Sequence, residues 1–315
     1  MLQKKSPNII FILIDDMGWR DLSCYGSSFY ETPNNDRMAK EGMRFTDAYA
    51  ASPVCSPTRA SIMSGKYPAN TGVTDWIDFS KKLHPCRGKL IDAPYIDHLP
   101  LSEKSLASAL RDSGYATWHI GKWHLGSEPY YPEHHGFEVN IGGCEWGMPV
   151  NGYFSPYGIH TLEDGPKGEY LTDRLTDEAL QLIKHNGERP FFLNLWYYAV
   201  HTPIQAKKED IERFEKKARD MMLDRIDALE EGEYMPCEHN KHKRVVRRKL
   251  QSDPVYAAMI YNLDWDIGRL MAAMSEAGLL DNSVIFFTSD NGGLSTSGGS
   301  PTCNAPLSEG KRLDV

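Results

Sequence analysis

The chain alternates short, continuously apolar runs with longer segments whose apolar residues recur every three to four positions. Asn8–Ile14 (NIIFILI) is the first such run, and its composition fits a strand buried on both faces, as in a parallel sheet. Tyr115–Ile120, Phe191–Tyr198 and Val284–Thr288 read as further strands, the last of them buried. Between them, Thr32 as N-cap, Pro33 in the first turn and Gly42 as the stop predict a short helix. A second short helix is predicted over Thr58–Ser64, stopped by Gly65. Leu101–Ser113 places Leu101, Leu106 and Leu110 on one side and ends at Gly114. Leu171–Asn186 carries Leu171, Leu175, Ala179, Leu182 and Ile183 at helical spacing. A charged helix is expected over Lys207–Glu231, with Ile211, Phe214, Met222, Ile226 and Leu229 as its apolar stripe, and a long one over Pro254–Ala277. Strands alternating with helices predict an α/β fold with a largely parallel sheet. Gly72–Pro100 and Trp123–Pro166 are irregular and rich in Pro, Gly, Tyr and Trp, the composition of loops that carry substrate contacts.

A length of 315 residues suits one large α/β domain or two smaller ones. The net charge of −8 argues against a whole-chain polyanion binder, and so against nucleic acid as partner. The basic cluster Lys241-His242-Lys243-Arg244 with Arg247, Arg248 and Lys249 then reads as a solvated helix face or loop, or as a means of attracting an anionic substrate. No apolar run reaches membrane-spanning length. The start, Met1-Leu2-Gln3-Lys4-Lys5, runs straight into the first strand without a signal-peptide pattern. The expected location is cytoplasmic for the chain as written, and periplasmic or secreted if a signal was trimmed. The lack of any Asn-x-Ser/Thr acceptor weighs against a eukaryotic secretory protein. Cys24, Cys55, Cys86, Cys144, Cys237 and Cys303 are scattered without a C-x-x-C pair, so the spacing indicates neither a zinc site nor a disulfide framework.

Four segments carry chemistry. Asp15-Asp16 directly follows the first strand, and Asp290-Asn291 follows the last. Strand carboxyl ends face the ligand crevice of an open α/β sheet. Alone, each pair is explained by a turn or a helix cap. Side by side they offer four oxygen donors to a hard cation such as calcium or magnesium. Cys55-Ser56-Pro57-Thr58-Arg59 places a cysteine just before a predicted helix start, with an arginine one turn on. A lone cysteine is ordinarily a small buried hydrophobe. Here the helix amides and Arg59 favour an anion nearby, which points to a nucleophilic or modified cysteine. In Gly121-Lys122-Trp123-His124, an extended chain would turn Lys122 and His124 the same way, a pairing that suits anion binding and proton transfer. His201, after the strand ending at Tyr198, is a further acid–base candidate.

These segments occur in order as IDDMGW (14–19), TPNNDRMA (32–39), CSPTRASIMSG (55–65), GYATWHIGKWHLG (114–126), HTP (201–203) and FFTSDNGG (286–293). Together they resemble the type I sulfatases of the alkaline-phosphatase-like superfamily, from Asn8 to the chain end. The resemblance implies a central mostly parallel sheet flanked by helices. It implies that Cys55, in an intact Cys-x-Pro-x-Arg core, is oxidised by a formylglycine-generating enzyme to Cα-formylglycine, whose hydrated aldehyde is the nucleophile. It implies that Asp15, Asp16, Asp290, Asn291 and the modified Cys55 bind the metal, usually calcium and alternatively magnesium, and that Arg59 holds the formylglycine. Lys122, His124, His201 and Lys311 match the sulfate-binding and proton-transfer set. His201 is the first choice for protonating the leaving alcohol, with His124 the alternative. The implied substrate is a sulfated small molecule or saccharide.

The family continues beyond the position of Val315 into a small C-terminal subdomain. The resemblance therefore implies that the chain, one catalytic domain over 1–315, is a fragment or shortened product with one side of its pocket uncovered. Lys311, four residues from the last residue, is expected to fray. Ser308-Glu309 departs from the basic-glycine pair usual there. Two alternatives remain at this stage: a phosphate- or phosphonate-ester hydrolase of the same superfamily, and a non-catalytic sulfoglycan-binding remnant.

Overall fold

The computed structural model describes residues 6–80, 93–235, 241–296, 299–307 and 310–311. Ser308-Glu309, Cys86 and Cys237 lie outside the described residues. The strands are β1 (Asn8–Ile14), β2 (Ala116–Gly121), β3 (Val139–Ile141), β4 (Phe191–Trp196), β5 (Leu229–Tyr234), β6 (Arg244–Arg248) and β7 (Ser283–Ser289). The helices are α1 (Pro33–Glu41), α2 (Cys55–Ser64), α3 (Pro68–Thr71), α4 (Leu106–Asp112), α5 (Leu171–His185), α6 (Lys208–Asp220) and α7 (Pro254–Glu276). Five strands form a parallel sheet in the order β3-β2-β4-β1-β7. The expected α/β class with a parallel sheet is what the chain adopts.

Burial explains the central strands. Every residue of β2 and β4 is buried, and apolar cores lie on both faces of the sheet. One core joins Ile10, Ile12 and Ile14 to α5, α6 and α7. The other joins Leu13, Phe192 and Trp196 to Ala60 and Met63 of α2. The register aligns Ile14 with Ser289, Leu13 with Trp196, and Gly121 with Trp196. The residues that follow β1, β2, β4 and β7 therefore leave the sheet at one level.

Several sequence expectations are corrected. Helix α2 starts at Cys55, not Thr58, because Pro57 falls in the first turn, where its missing N–H costs nothing. Helix α4 starts at Leu106, since Ser105 Oγ accepts the Ser108 N–H at 2.9 Å as an N-cap, and Leu101 stays outside and exposed. The charged helix ends at Asp220. Met222 has φ 57°, and Met222, Ile226 and Leu229 are solvent-exposed. The chain then pairs antiparallel, β5 against β6. The basic cluster thus includes a strand rather than a helix face or loop, with Arg247 hydrogen-bonded to Glu233 and Arg248 to the Ser300 carbonyl and Ser252. Strand β7 sits at the sheet edge and alternates in exposure, with Val284 and Phe286 exposed, so it is not the buried strand expected. Strand β3 was not expected at all. No helix among the described residues is long and apolar enough to cross a membrane.

Helix α1 is capped differently from expectation. Thr32 holds the N-cap position, but its hydroxyl bonds Ser23 and Asp36 rather than a helix N–H. Asp264 of α7 does the capping. Its carboxylate accepts the backbone N–H groups of Asn34 and Asn35 at 3.0 and 2.8 Å and both their side-chain amides. Asp264→Ala should orphan these donors and destabilise the fold by about 2–4 kcal/mol. A urea midpoint unchanged from wild type would show that α1 is held by packing alone.

Candidate active site

Five segments deliver the chemistry to one place. Asp15 and Asp16 follow β1, Lys122 follows β2, His201 follows β4, Asp290 and Asn291 follow β7, and Cys55 opens α2. One carboxylate oxygen from each of Asp15, Asp16 and Asp290 lies within 4.8 Å of the others, and all three residues are buried. Ligand atoms of Asp15, Cys55 and His201 form a second such group sharing Asp15.

Three cations balance these carboxylates. Lys122 Nζ lies 2.5 Å from Asp15 Oδ2. Lys311 Nζ lies 2.7 Å from Asp16 Oδ1 and donates to Cys55 Sγ at 3.3 Å. Arg59 donates through Nε and Nη2 to Asp290 Oδ2 at 3.1 and 2.9 Å, and through Nη1 to the Lys122 carbonyl at 2.9 Å. Its guanidinium also stands 5.1 Å from the Trp196 ring centroid. Burial alone would raise Asp15, but Lys122, His201 and Arg59 outweigh it and hold the carboxyl below its usual range. Asp16 is likewise held low against burial, chiefly by Lys311. Burial and the nearby Asp15 push Asp290 up.

Lys311 is not frayed. It is only 8% exposed, its backbone N–H donates to the Gly293 carbonyl at 3.0 Å, and its ammonium is pinned by Asp16. Two glycines make that docking possible. A Cβ on Gly310 would stand 2.1 Å from the Gly293 carbonyl oxygen, and one on Gly293 would stand 2.8 Å from Gly18 Cα. The Gly18, Gly293 and Gly310 loops therefore pack backbone against backbone.

The two histidines differ. His201 hydrogen-bonds the Thr202 carbonyl through Nδ1 at 2.8 Å, which leaves Nε2 facing Asp16 Oδ2 at 3.5 Å. His124 has φ 57°, so the Lys122–His124 stretch is not the extended one expected. Its Nε2 bonds the Ile77 carbonyl at 2.8 Å, and its buried Nδ1 has no hydrogen-bond partner. Burial and Lys122 lower His124 well below the ordinary imidazole range. Burial pushes the Cys55 thiol up to about 12 despite Lys122 and Lys311, so as a thiol it stays protonated at neutral pH.

The donor set fits a hard cation. Three buried carboxylates converge, and Asn291 Oδ1 is a buried acceptor without a hydrogen-bond partner while its Nδ2 donates to Asp16 Oδ1 at 2.8 Å. This Asp, Cys and His cluster is compatible with a calcium-binding formylglycine centre.

Sequence reading missed the supports behind the site. Tyr256 of α7 donates to Asp21 Oδ2 at 2.6 Å, and Asp21 accepts the Gly18 N–H and the Thr302 hydroxyl at 2.7 Å each, fixing the turn after Asp16. Trp196, under Arg59, was missed as well. Asp21, three residues past Gly18 within the same turn, was the one available signal. Arg59→Ala should cost about 3–5 kcal/mol by leaving Asp290 buried without its partner, and Arg59→Lys should restore only part of that. Equal denaturant midpoints for wild type and Arg59→Ala would show that Asp290 does not depend on the guanidinium.

Comparison with known proteins agrees with this geometry. The sulfatase family model matches residues 7–312. Human N-acetylgalactosamine-6-sulfatase is 30% identical over 309 residues, covering 91% of this chain and 50% of its own length. Mouse arylsulfatase J is 31% identical over 318 residues, covering 96% of this chain and 44% of its own. The crystal structure of Ps i-CgsB in complex with k-i-k-neocarrahexaose superposes with a TM-score of 0.72 at 30% identity, covering 98% of this chain and 62% of that one. The chain thus spans about half the length of the curated relatives it matches. With the motifs gathered at one end of a parallel sheet and the family model matched along nearly the whole chain, this protein belongs to the sulfatase family.

Proposed function

We propose that this chain hydrolyses sulfate esters of a sulfated carbohydrate, using a formylglycine made from Cys55. The observation that carries the reading is the surrounding of Cys55. Its sulfur lies 3.3 Å from the Lys311 ammonium and 3.5 Å from Asp15, with Arg59 on the same helix. The carbohydrate follows from the relatives: one is named for a sulfated amino sugar, and another was solved with a neocarrahexaose. A formylglycine-generating enzyme is the implied maturation partner.

The roles follow from position. As formylglycine hydrate, Cys55 supplies a hydroxyl nucleophile. A bound calcium, held by Asp15, Asp16, Asp290 and Asn291, supplies Lewis acidity toward sulfate oxygens and that hydroxyl. Lys122 and Lys311, each on a flexible stem, bind the sulfate oxygens and offset charge as it develops. Arg59 is anchored to Asp290 and the Lys122 carbonyl, so it fixes the start of α2 and with it residue 55. His201 Nε2, open toward Asp16, is placed to protonate the leaving alcohol, whereas His124, with its ring proton held by the Ile77 carbonyl and its basicity lowered by burial, has none on Nδ1 to give.

Protein co-expressed with a formylglycine-generating enzyme should be about 18 Da lighter at residue 55. It should release sulfate from sulfated saccharides and leave aryl phosphate nearly untouched. Full turnover by Cys55→Ala, or a preference for phosphate, would overturn the reading. Lys311→Ala at matched formylglycine occupancy should lower kcat/KM about a hundredfold or more, the usual loss for one oxyanion donor. An undiminished rate would remove Lys311 from the site.

The metal has a separate readout. Calcium at a hundred times its Kd should stabilise wild type by about 2.7 kcal/mol, seen as a raised Tm that chelator reverses. Asp16→Asn or Asp290→Asn should blunt that shift. An identical melting curve with calcium and with chelator would argue against a bound cation.

A further inference from the structure

A second group of metal-ligating side chains lies beside the active site without belonging to it. Ligand atoms of Cys144, Glu145 and His160 all lie within 4.8 Å of one another. Cys144 is buried, Glu145 is half-buried and His160 is exposed. His160 Nε2 lies 3.6 Å from Glu145 Oε2. The Tyr131 hydroxyl joins them, 2.6 Å from Glu145 Oε2 and 3.1 Å from His160 Nε2. The His160 ring packs edge-on against Trp146 at 5.0 Å, which restricts its orientation. The sulfur meets the Tyr198 hydroxyl at 3.9 Å, a loose contact.

We infer that Cys144, Glu145 and His160 form a zinc site. One thiolate, one imidazole and one carboxylate suit zinc, whereas calcium and magnesium take oxygen ligands. Zinc bonds of about 2.3 Å to sulfur and about 2.0 Å to nitrogen require the ligand atoms to close in by roughly 1 Å. His160 is exposed and Glu145 half-buried, so their side chains have room to approach at the expense of their Tyr131 bonds. Binding exchanges the Cys144 thiol proton for the metal, and the proton goes to solvent. No C-x-x-C spacing announces the site, because His160 reaches it from fifteen residues further along the same β3–α5 connection.

The site has a path to the reaction. The Cys144 carbonyl accepts the His124 N–H at 3.0 Å, and a Cβ on Gly147 would stand 2.6 Å from His124 Cε1. The segment that would hold zinc therefore also holds His124, and a shift of that segment on zinc binding would act as a brake on turnover. This second part rests on the sulfate-ester reading, while binding does not.

The test uses the full chain in excess calcium, with cobalt(II) as the spectroscopic probe and zinc as its competitor. Wild type should show a thiolate-to-cobalt charge-transfer band at one equivalent, which zinc abolishes. Cys144→Ser should lose the band, His160→Ala should bind at least tenfold more weakly, and Cys55→Ala should keep it. No band, a band surviving Cys144→Ser, or a band lost in Cys55→Ala overturns the site. Zinc should slow sulfate release by wild type and not by His160→Ala. Equal slowing of both, or none with zinc bound, overturns the brake. Protein that binds cobalt yet releases no sulfate from any ester would fail the functional reading and leave the zinc site standing.

Discussion

Three carboxylates buried within one 4.8 Å group repel one another, and burial keeps bulk solvent from screening that repulsion. The rest of the site exists on the condition that this repulsion is met. Arg59, Lys122 and Lys311 meet it one for one, and all three are buried themselves. The partners reach the carboxylates from α2, from the turn after β2 and from the far end of the described chain. Folding these segments together is therefore what makes the charges tolerable, and the charges in turn fix where the segments dock. The balance also sets what the site accepts. With carboxylates and cations matched, a bound divalent cation would leave the site positive, which favours an anionic ester as its ligand.

The three cations are not equivalent. Arg59 is held by Asp290 through two nitrogens, by the Lys122 carbonyl and by the Trp196 face, so its position is fixed. Each lysine has one main carboxylate partner and a flexible stem. Were a cation held by Asp15 and Asp16, the lysine ammoniums would be freed from these carboxylates for other oxygens. Under the proposed function, the same pairs that stabilise the protein without metal would become anion donors with it. The turn carrying Asp16 does not share this freedom. Asp16 has φ 62°, and the Asp21–Tyr256 bond and the contacts of the Gly18 loop hold it there.

Much of this was legible in sequence because the chemistry sits at strand ends. Apolar runs give the strands, and the residue after each run falls at the carboxyl edge, so Asp15-Asp16 and Asp290-Asn291 come together once β1 and β7 are neighbours, as they are. Cys55 and Arg59 were legible through helical spacing, although the start of α2 was not, since Pro57 hides it. What stayed illegible depends on contacts between distant segments. Lys311 looks frayed by its position but is held by Gly293, a contact about eighteen residues away that only glycine pairs allow. Thr32 looks like a cap, but Asp264, over two hundred residues on, takes the role. Met222 fits an apolar stripe by spacing, but the turn there and the pairing of β5 with β6 override the helix. His124 likewise takes an orientation set by Ile77 rather than by its neighbours.

The state of Cys55 bears on its proposed conversion to formylglycine. A helix N-terminus with a lysine beside it would ordinarily lower a thiol pKa. Here the sulfur is buried and the neighbouring carboxylates oppose ionisation, so the thiol is pushed up to about 12. A site so balanced has little use for an added thiolate, and a neutral thiol is a weak nucleophile. An aldehyde hydrate offers oxygen in place of sulfur, which suits the hard cation that Asp15, Asp16 and Asp290 are arranged to hold. It also carries a second hydroxyl through which an ester on the first can be expelled, an exit that neither serine nor cysteine has. Under the proposed function the buried acidic cluster and the Cys-x-Pro-x-Arg segment are two parts of one requirement, since an unmodified Cys55 would meet neither the metal's preference for oxygen nor the need for that exit.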